Sequence, residues 1–119
     1  LRSAVITART SRLMKRRAKE LRIDVLAQGQ RLKLPAYEQL LKRLRASDEQ
    51  VCAIGDDLMD LPILRRVGFA VAVPNAVDEV KAVAHYVTRR AGGRGAVREV
   101  VDTILKAKGV WDEIMQRYL

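Results

Sequence analysis

The chain has 119 residues, enough for one domain with a core but small for an α/β enzyme. An apolar fraction of 49% excludes a disordered chain, and no apolar run reaches the roughly 18 residues of a membrane span. The formal charge of +9 admits either phosphate attraction or solvated helix faces, and 4% aromatic content argues against a stacking platform for nucleic acid.

A small anionic substrate explains the basicity as well as nucleic acid does, so neither a nucleic-acid nor a membrane partner is expected. The single cysteine, Cys52, cannot form an internal disulfide and suits a reducing cytoplasm. The chain opens at Leu1 rather than a methionine and shows no signal peptide.

Five strand signals alternate with five helix signals, which predicts a parallel sheet wound with helices. Residues 4–7 read as an apolar strand ending in Thr7. Thr10 or Ser11 can cap a helix reaching about residue 22, with Leu13, Met14, Ala18 and Leu21 inward. Residues 24–27 make a second strand, closed by Gln28-Gly29-Gln30. Pro35 suits the first turn of a helix whose Tyr37, Leu40, Leu41 and Leu44 recur at helical spacing.

The run 51–54 is a third strand, and a helix over 58–67 stops at Gly68. Residues 69–73 form the next strand. Asn75 caps a helix with Asp78 and Glu79 in its first turn, where negative charge suits the dipole. After a strand at 86–88, Gly92-Gly93-Arg94-Gly95 leads into a helix striped with Val97, Val100, Val101, Ile104 and Leu105, ended by Gly109. A tail at 110–119 can add a helix with Trp111, Ile114, Met115 and Tyr118 exposed on one side.

The densest chemistry is Gly55-Asp56-Asp57-Leu58-Met59-Asp60 after the third strand. Carboxylates at the carboxyl end of a parallel strand sit where open α/β sheets bind ligands. Such close like charges repel, and a hard cation such as Mg²⁺ would hold them. A solvated acidic loop is the plainer alternative. Thr7 and Lys33 follow two other strands, so a hydroxyl, an ammonium and a carboxylate cluster converge on one edge. That set suits phosphoryl transfer, with the metal clamping the transferring group.

Ile6-Thr7-Ala8-Arg9, Gln28-Gly29-Gln30 with Lys33, and the 55–60 segment resemble motifs two to four of the haloacid dehalogenase superfamily. Tyr86-Val87-Thr88-Arg89 and Gly92-Gly93-Arg94-Gly95-Ala96-Val97-Arg98-Glu99 are similar to its capless phosphatases acting on 3-deoxy-D-manno-octulosonate 8-phosphate. The resemblance spans essentially the whole chain and implies a three-layer Rossmann-like α/β/α parallel sheet. It also implies a Mg²⁺-dependent phosphatase of lipopolysaccharide precursor synthesis, cytoplasmic and tetrameric.

Residue by residue, the resemblance makes Asp56 the Mg²⁺ ligand, with Asp60 and Asp57 orienting the waters around the ion. Lys33 and Asp60 are its catalytic-site residues, with Lys33 bridging phosphate and nucleophile. Thr7, Ala8, Arg9, Arg17 and Lys33 bind substrate and phosphate; Arg9 selects the sugar acid, and Arg17 reaches a neighbouring subunit's site. Arg17 can equally be a solvated helix charge, and Arg94 either a substrate or subunit contact or a plain loop charge. Ala8 stands where the family usually has glycine. Met59 stands where relatives acting on sialic-acid-type substrates tend to carry asparagine, which favours the octulosonate reading. Residues 1–109 are expected to form the carboxyl-terminal part of the phosphatase domain and 110–119 a tail helix, either at a subunit interface or folded back on its own domain.

Motif one of this family, an Asp-x-Asp supplying nucleophile and acid/base, occurs nowhere in the sequence. The resemblance places its strand centrally, between the strands ending near Thr7 and Ile54, so the expected sheet is split. An upstream strand, hairpin and helix would need about 30 residues or more. Residues 1–119 alone are therefore expected to be inactive and molten or aggregated; a cooperative melting transition would contradict this. Two other readings remain: a phosphatase of a nine-carbon sugar acid phosphate, and an inactive oligomerisation module of a sialic-acid cytidylyltransferase. A basic nucleic-acid-binding module stands behind them and would require salt-dependent duplex binding.

Overall fold

The computed structural model describes residues 1–116, the side chain of Trp111 excepted. Among these residues, five short parallel strands lie in two sheets. β1 (Ala4–Ile6) pairs with β2 (Val25–Ala27), Ala4 opposite Val25. The second sheet has the order β3 (Cys52–Gly55), β4 (Phe69–Ala72), β5 (Tyr86–Val87). Among the described residues no ladder joins the two sheets, as the family resemblance implies for a chain without the motif-one strand.

The helices are α1 (Arg12–Glu20), α2 (Lys33–Leu44), α3 (Leu61–Leu64), α4 (Asp78–Val83), α5 (Ala96–Ala107) and α6 (Trp111–Gln116). Ser11 caps α1, its Oγ accepting from the Met14 N–H at 3.3 Å. The core gathers on β4, whose Ala70, Val71 and Ala72 are fully buried. Tyr37 of α2, Ile63 and Leu64 of α3, Val80 of α4 and Ala96 of α5 are buried with that strand. Apolar burial of this kind, at about 25 cal/mol per Å², holds α2 and α3 on the sheet.

Five details differ from the sequence reading. Leu13 and Leu21 of α1 are 76% and 58% exposed, Met14 is also exposed, and only Ala18 of the expected inward set is buried. The helix thus meets the body of the protein through its small residue alone. The helix expected over 58–67 is a 3₁₀ turn at Leu58–Asp60 followed by the short α3. Its regular ladder breaks where the Arg66 N–H turns to the Ile63 carbonyl at 2.9 Å, and the Gly68 N–H then goes to the Asp48 carbonyl at 2.7 Å. Val77, not Asn75, stands at the start of α4, since its N–H donates to the Asp56 carbonyl and keeps the chain extended there. Val97 is 63% exposed, while Val100 on the next turn is buried. In the tail, Ile114 and Met115 are also half-buried rather than exposed as expected; the expectation for the side chains of Trp111 and Tyr118 lies outside the described residues.

Candidate active site

The carboxyl ends of β2 and β3 meet through Lys33 and Asp60. Lys33 opens α2, Asp60 immediately precedes α3, and Nζ lies 2.7 Å from Asp60 Oδ1. Both side chains are largely buried, at 18% and 13% exposure. Asp60 Oδ2 accepts from the backbone N–H groups of Asp56 and Asp57 at 3.0 and 3.2 Å. Burial opposes ionisation of Asp60, but the Lys33 hydrogen bond and the two amides outweigh it and hold the carboxyl below the usual range.

The three acids are used differently. Asp60 anchors the loop, and Asp57 Oδ1 accepts from the Leu58 N–H at 2.7 Å to cap the 3₁₀ turn. Among the described residues nothing engages the Asp56 carboxylate, which is exposed at the end of β3. It is the acid left for a cation. No group of three His, Cys, Asp or Glu suited to a metal exists among the described residues. One carboxylate nevertheless fits Mg²⁺, which keeps several waters and needs few protein ligands.

Gly55 makes this packing possible. A Cβ there would stand 2.7 Å from Asp60 Cβ and 2.9 Å from Leu64 Cδ1. Gly55→Ala is expected to push Asp60 off its amides at a cost of about 1–3 kcal/mol. Urea denaturation checks this, and an unchanged midpoint would refute the contact.

The second loop cluster presents Thr7, Ala8 and Arg9. Gln30 N–H donates to the Thr7 carbonyl at 2.9 Å, Gly29 N–H to the Arg9 carbonyl at 3.1 Å, and Ser11 N–H to Gln28 Oε1 at 2.7 Å. Gly29 takes φ +68°, the left-handed region that glycine enters without strain. Thr7 Oγ1 accepts from the Arg9 N–H at 3.2 Å, leaving its own hydrogen to donate. Ala8 and Arg9 are exposed, and Ala8 has a negative φ, so its methyl sits on ordinary backbone. Gln28 and Gly29 are thus positioning residues, signalled in the sequence by their place after a strand and by the Gln28-Gly29-Gln30 motif.

Arg17 lies on the exposed side of α1, 3.2 Å from Glu20. Arg94 is exposed on the loop before α5. That loop is anchored by Glu99, which accepts from the Tyr86 hydroxyl and from the Arg89 and Arg90 N–H groups. These contacts, Tyr86 first, hold the Glu99 carboxyl below its usual range. A cavity of about 340 Å³ beside Asp56 is walled by Ile54, Val73, Asn75, Gly92 and Val97. A larger one, about 450 Å³, runs along α5 past Arg90, Arg98 and Asp102, away from the aspartates.

Cys52 is half-buried in β3, and burial pushes its thiol up to about 11. It is expected to react slowly with maleimide at neutral pH, and Cys52→Ala to leave the chemistry nearly intact. Rapid labelling of the folded protein would contradict this.

Residues 5–100 match the family model for haloacid dehalogenase-like hydrolases. The chain is 52% identical over 105 residues to the 3-deoxy-D-manno-octulosonate 8-phosphate phosphatase of Yersinia pestis, an alignment covering 88% of this chain and 56% of that protein. With the Escherichia coli K12 enzyme of the same description it shares 48% over 110 residues, covering 92% and 58%. The chain therefore spans a little over half the length of these relatives. The Moraxella catarrhalis phosphatase, solved with magnesium, phosphate and a 3-deoxy-D-manno-octulosonate molecule, superposes with a TM-score of 0.96 at 43% identity. That alignment covers all of this chain and 68% of the other. A cobalt-bound Haemophilus influenzae phosphatase gives 0.89 at 36%, covering 92% and 64%. With its parallel strands, its Lys33–Asp60 pair and these similarities, the chain belongs to the haloacid dehalogenase-like hydrolases, in the family of 3-deoxy-D-manno-octulosonate 8-phosphate phosphatases.

Proposed function

We propose that this chain forms the metal- and phosphate-binding part of a Mg²⁺-dependent phosphatase that hydrolyses 3-deoxy-D-manno-octulosonate 8-phosphate. The observation that carries the reading is the division of labour among the acids: Lys33 and two backbone amides hold Asp60, while the Asp56 carboxylate stays unengaged at the sheet edge. Asp56 would hold Mg²⁺, which when bound would neutralise phosphate charge. Lys33 offers an ammonium to the phosphoryl oxygens, Thr7 a hydroxyl, and Arg9 a guanidinium to the sugar acid. Asp57 and Asp60 keep the loop in shape around the ion, and Asp60 holds Lys33 in place.

The reading places the reaction in the cytoplasm, in lipopolysaccharide precursor synthesis, and no helix among the described residues is long and apolar enough to cross a membrane. It takes residues 1–109 as part of the phosphatase domain and 110–119 as a tail at a contact between four copies. Arg17, 69% exposed on α1, is free to reach a neighbouring copy once it leaves Glu20.

Substrate choice tests the reading. The whole protein is expected to release phosphate from the eight-carbon sugar acid phosphate with kcat/KM at least about tenfold above that for a nine-carbon analogue, a difference of about 1.4 kcal/mol in transition-state binding. Preference for the nine-carbon substrate would overturn the choice of sugar.

A further inference from the structure

Lys33 and Asp60 join α2 to α3 where both helices begin. A second polar contact joins the same helices six residues beyond Asp60, and the reaction does not use it. Tyr37, one turn after Lys33 on the same face of α2, is 2% exposed and donates its hydroxyl to Asp48 Oδ1 at 2.7 Å. Arg66, just past α3, lies over the Tyr37 ring at 5.3 Å, with 3.0 Å to Glu38 and 3.4 Å to Asp48. The Asp48 carbonyl accepts from Val51 and Gly68 N–H, which ties the contact to the starts of β3 and β4.

We propose that Tyr37, Asp48 and Arg66 are positioning residues that set the spacing of α2 and α3 and, through Asp60, the placement of the Asp56 loop. Lysine cannot set that spacing itself, because its ammonium rides on a flexible four-carbon stem and follows the carboxylate. The Arg66 guanidinium is planar and held by a ring and two carboxylates, so it fixes the end of α3 in direction as well as distance. Asp60 hangs from the start of that four-residue helix, and its Oδ2 holds the Asp56 and Asp57 amides. A tilt of α3 therefore reaches Asp56 through a single residue. Half-exposed ion pairs add little stability, so their arrangement here is better explained by alignment than by strength.

The test uses the whole protein that carries this chain, with Tyr37→Phe and Arg66→Lys. Tyr37→Phe keeps the buried ring and removes one hydrogen bond; Arg66→Lys keeps the charge and removes the planar fork. Each is expected to lower kcat for the octulosonate phosphate roughly three- to tenfold with KM within about twofold. In the metal-free protein, amide exchange at Asp56 and Asp57 should rise by a similar factor while Ala70 to Ala72 on β4 stay protected. Unchanged exchange at Asp56 and Asp57, or acceleration of loop and β4 together, would overturn the proposal and leave the contact a matter of stability alone. The activity arm rests on the phosphatase reading and the exchange arm does not. Absence of turnover in the unsubstituted protein would thus sink that reading while exchange still decides this one.

Discussion

Asp56→Ala in the whole protein is expected to lower Mg²⁺-dependent turnover at least about a thousandfold, because it removes the carboxylate proposed to hold the ion. The same change should leave stability nearly untouched, within about 0.5 kcal/mol, since nothing among the described residues engages that carboxylate. The pairing of a large kinetic effect with a small thermodynamic one distinguishes Asp56 from its neighbours. Asp60→Ala would remove the partner of Lys33 and the acceptor of two amides, and would destabilise as well as inactivate. Kinetics at saturating Mg²⁺ beside urea denaturation of the metal-free protein separate the two. Normal turnover in Asp56→Ala would remove the metal assignment.

The second large effect is that of Lys33→Met. It deletes the cation beside a carboxylate that is only 13% exposed, leaving Asp60 with two amides and no counter-charge. Breaking a buried pair from one side costs about 3–5 kcal/mol; the partial exposure here brings the expectation nearer 2 kcal/mol. Turnover should fall about a hundredfold or more as the phosphate loses its ammonium. The pH dependence has a defined sign. Asp60 ionises more readily folded than unfolded, so its contribution to stability is present above the ordinary aspartate value of about 4 and is lost as pH falls from there through the depressed value. In Lys33→Met that acid limb should flatten. A limb as steep as in the unsubstituted protein would mean that Lys33 does not set the ionisation of Asp60.

The motif residues were the legible part of this site because spacing after a strand end has few structural solutions. Gly55-Asp56-Asp57-Leu58-Met59-Asp60 had to turn at the sheet edge, and the segments that follow β2 and β3 brought Lys33 within 2.7 Å of Asp60. The split of the sheet was implied by the family resemblance, which places a strand absent from this sequence between β1 and β3. What spacing could not express was the use of each carboxylate. Asp57 and Asp60 look alike in the sequence, yet one caps its own turn and the other holds a lysine. Helical periodicity misled at α1, where Leu13 and Leu21 lie on an apolar stripe that no described element covers. Periodicity reports which residues share a face and is silent on what meets that face. Asn75 misled for a tertiary reason, the bond from Val77 N–H to the Asp56 carbonyl. Long-range polar contacts such as Tyr37 to Asp48 and Glu99 to the 89–90 backbone leave no local signal.

The most direct test of the central claim is a Mg²⁺ titration of phosphate release from 3-deoxy-D-manno-octulosonate 8-phosphate by the whole protein that contains this chain. Saturable activation by Mg²⁺, abolished by chelation and restored when the ion is returned, is the predicted result. Release that persists without a divalent cation, or no release at any Mg²⁺ concentration, would contradict the account.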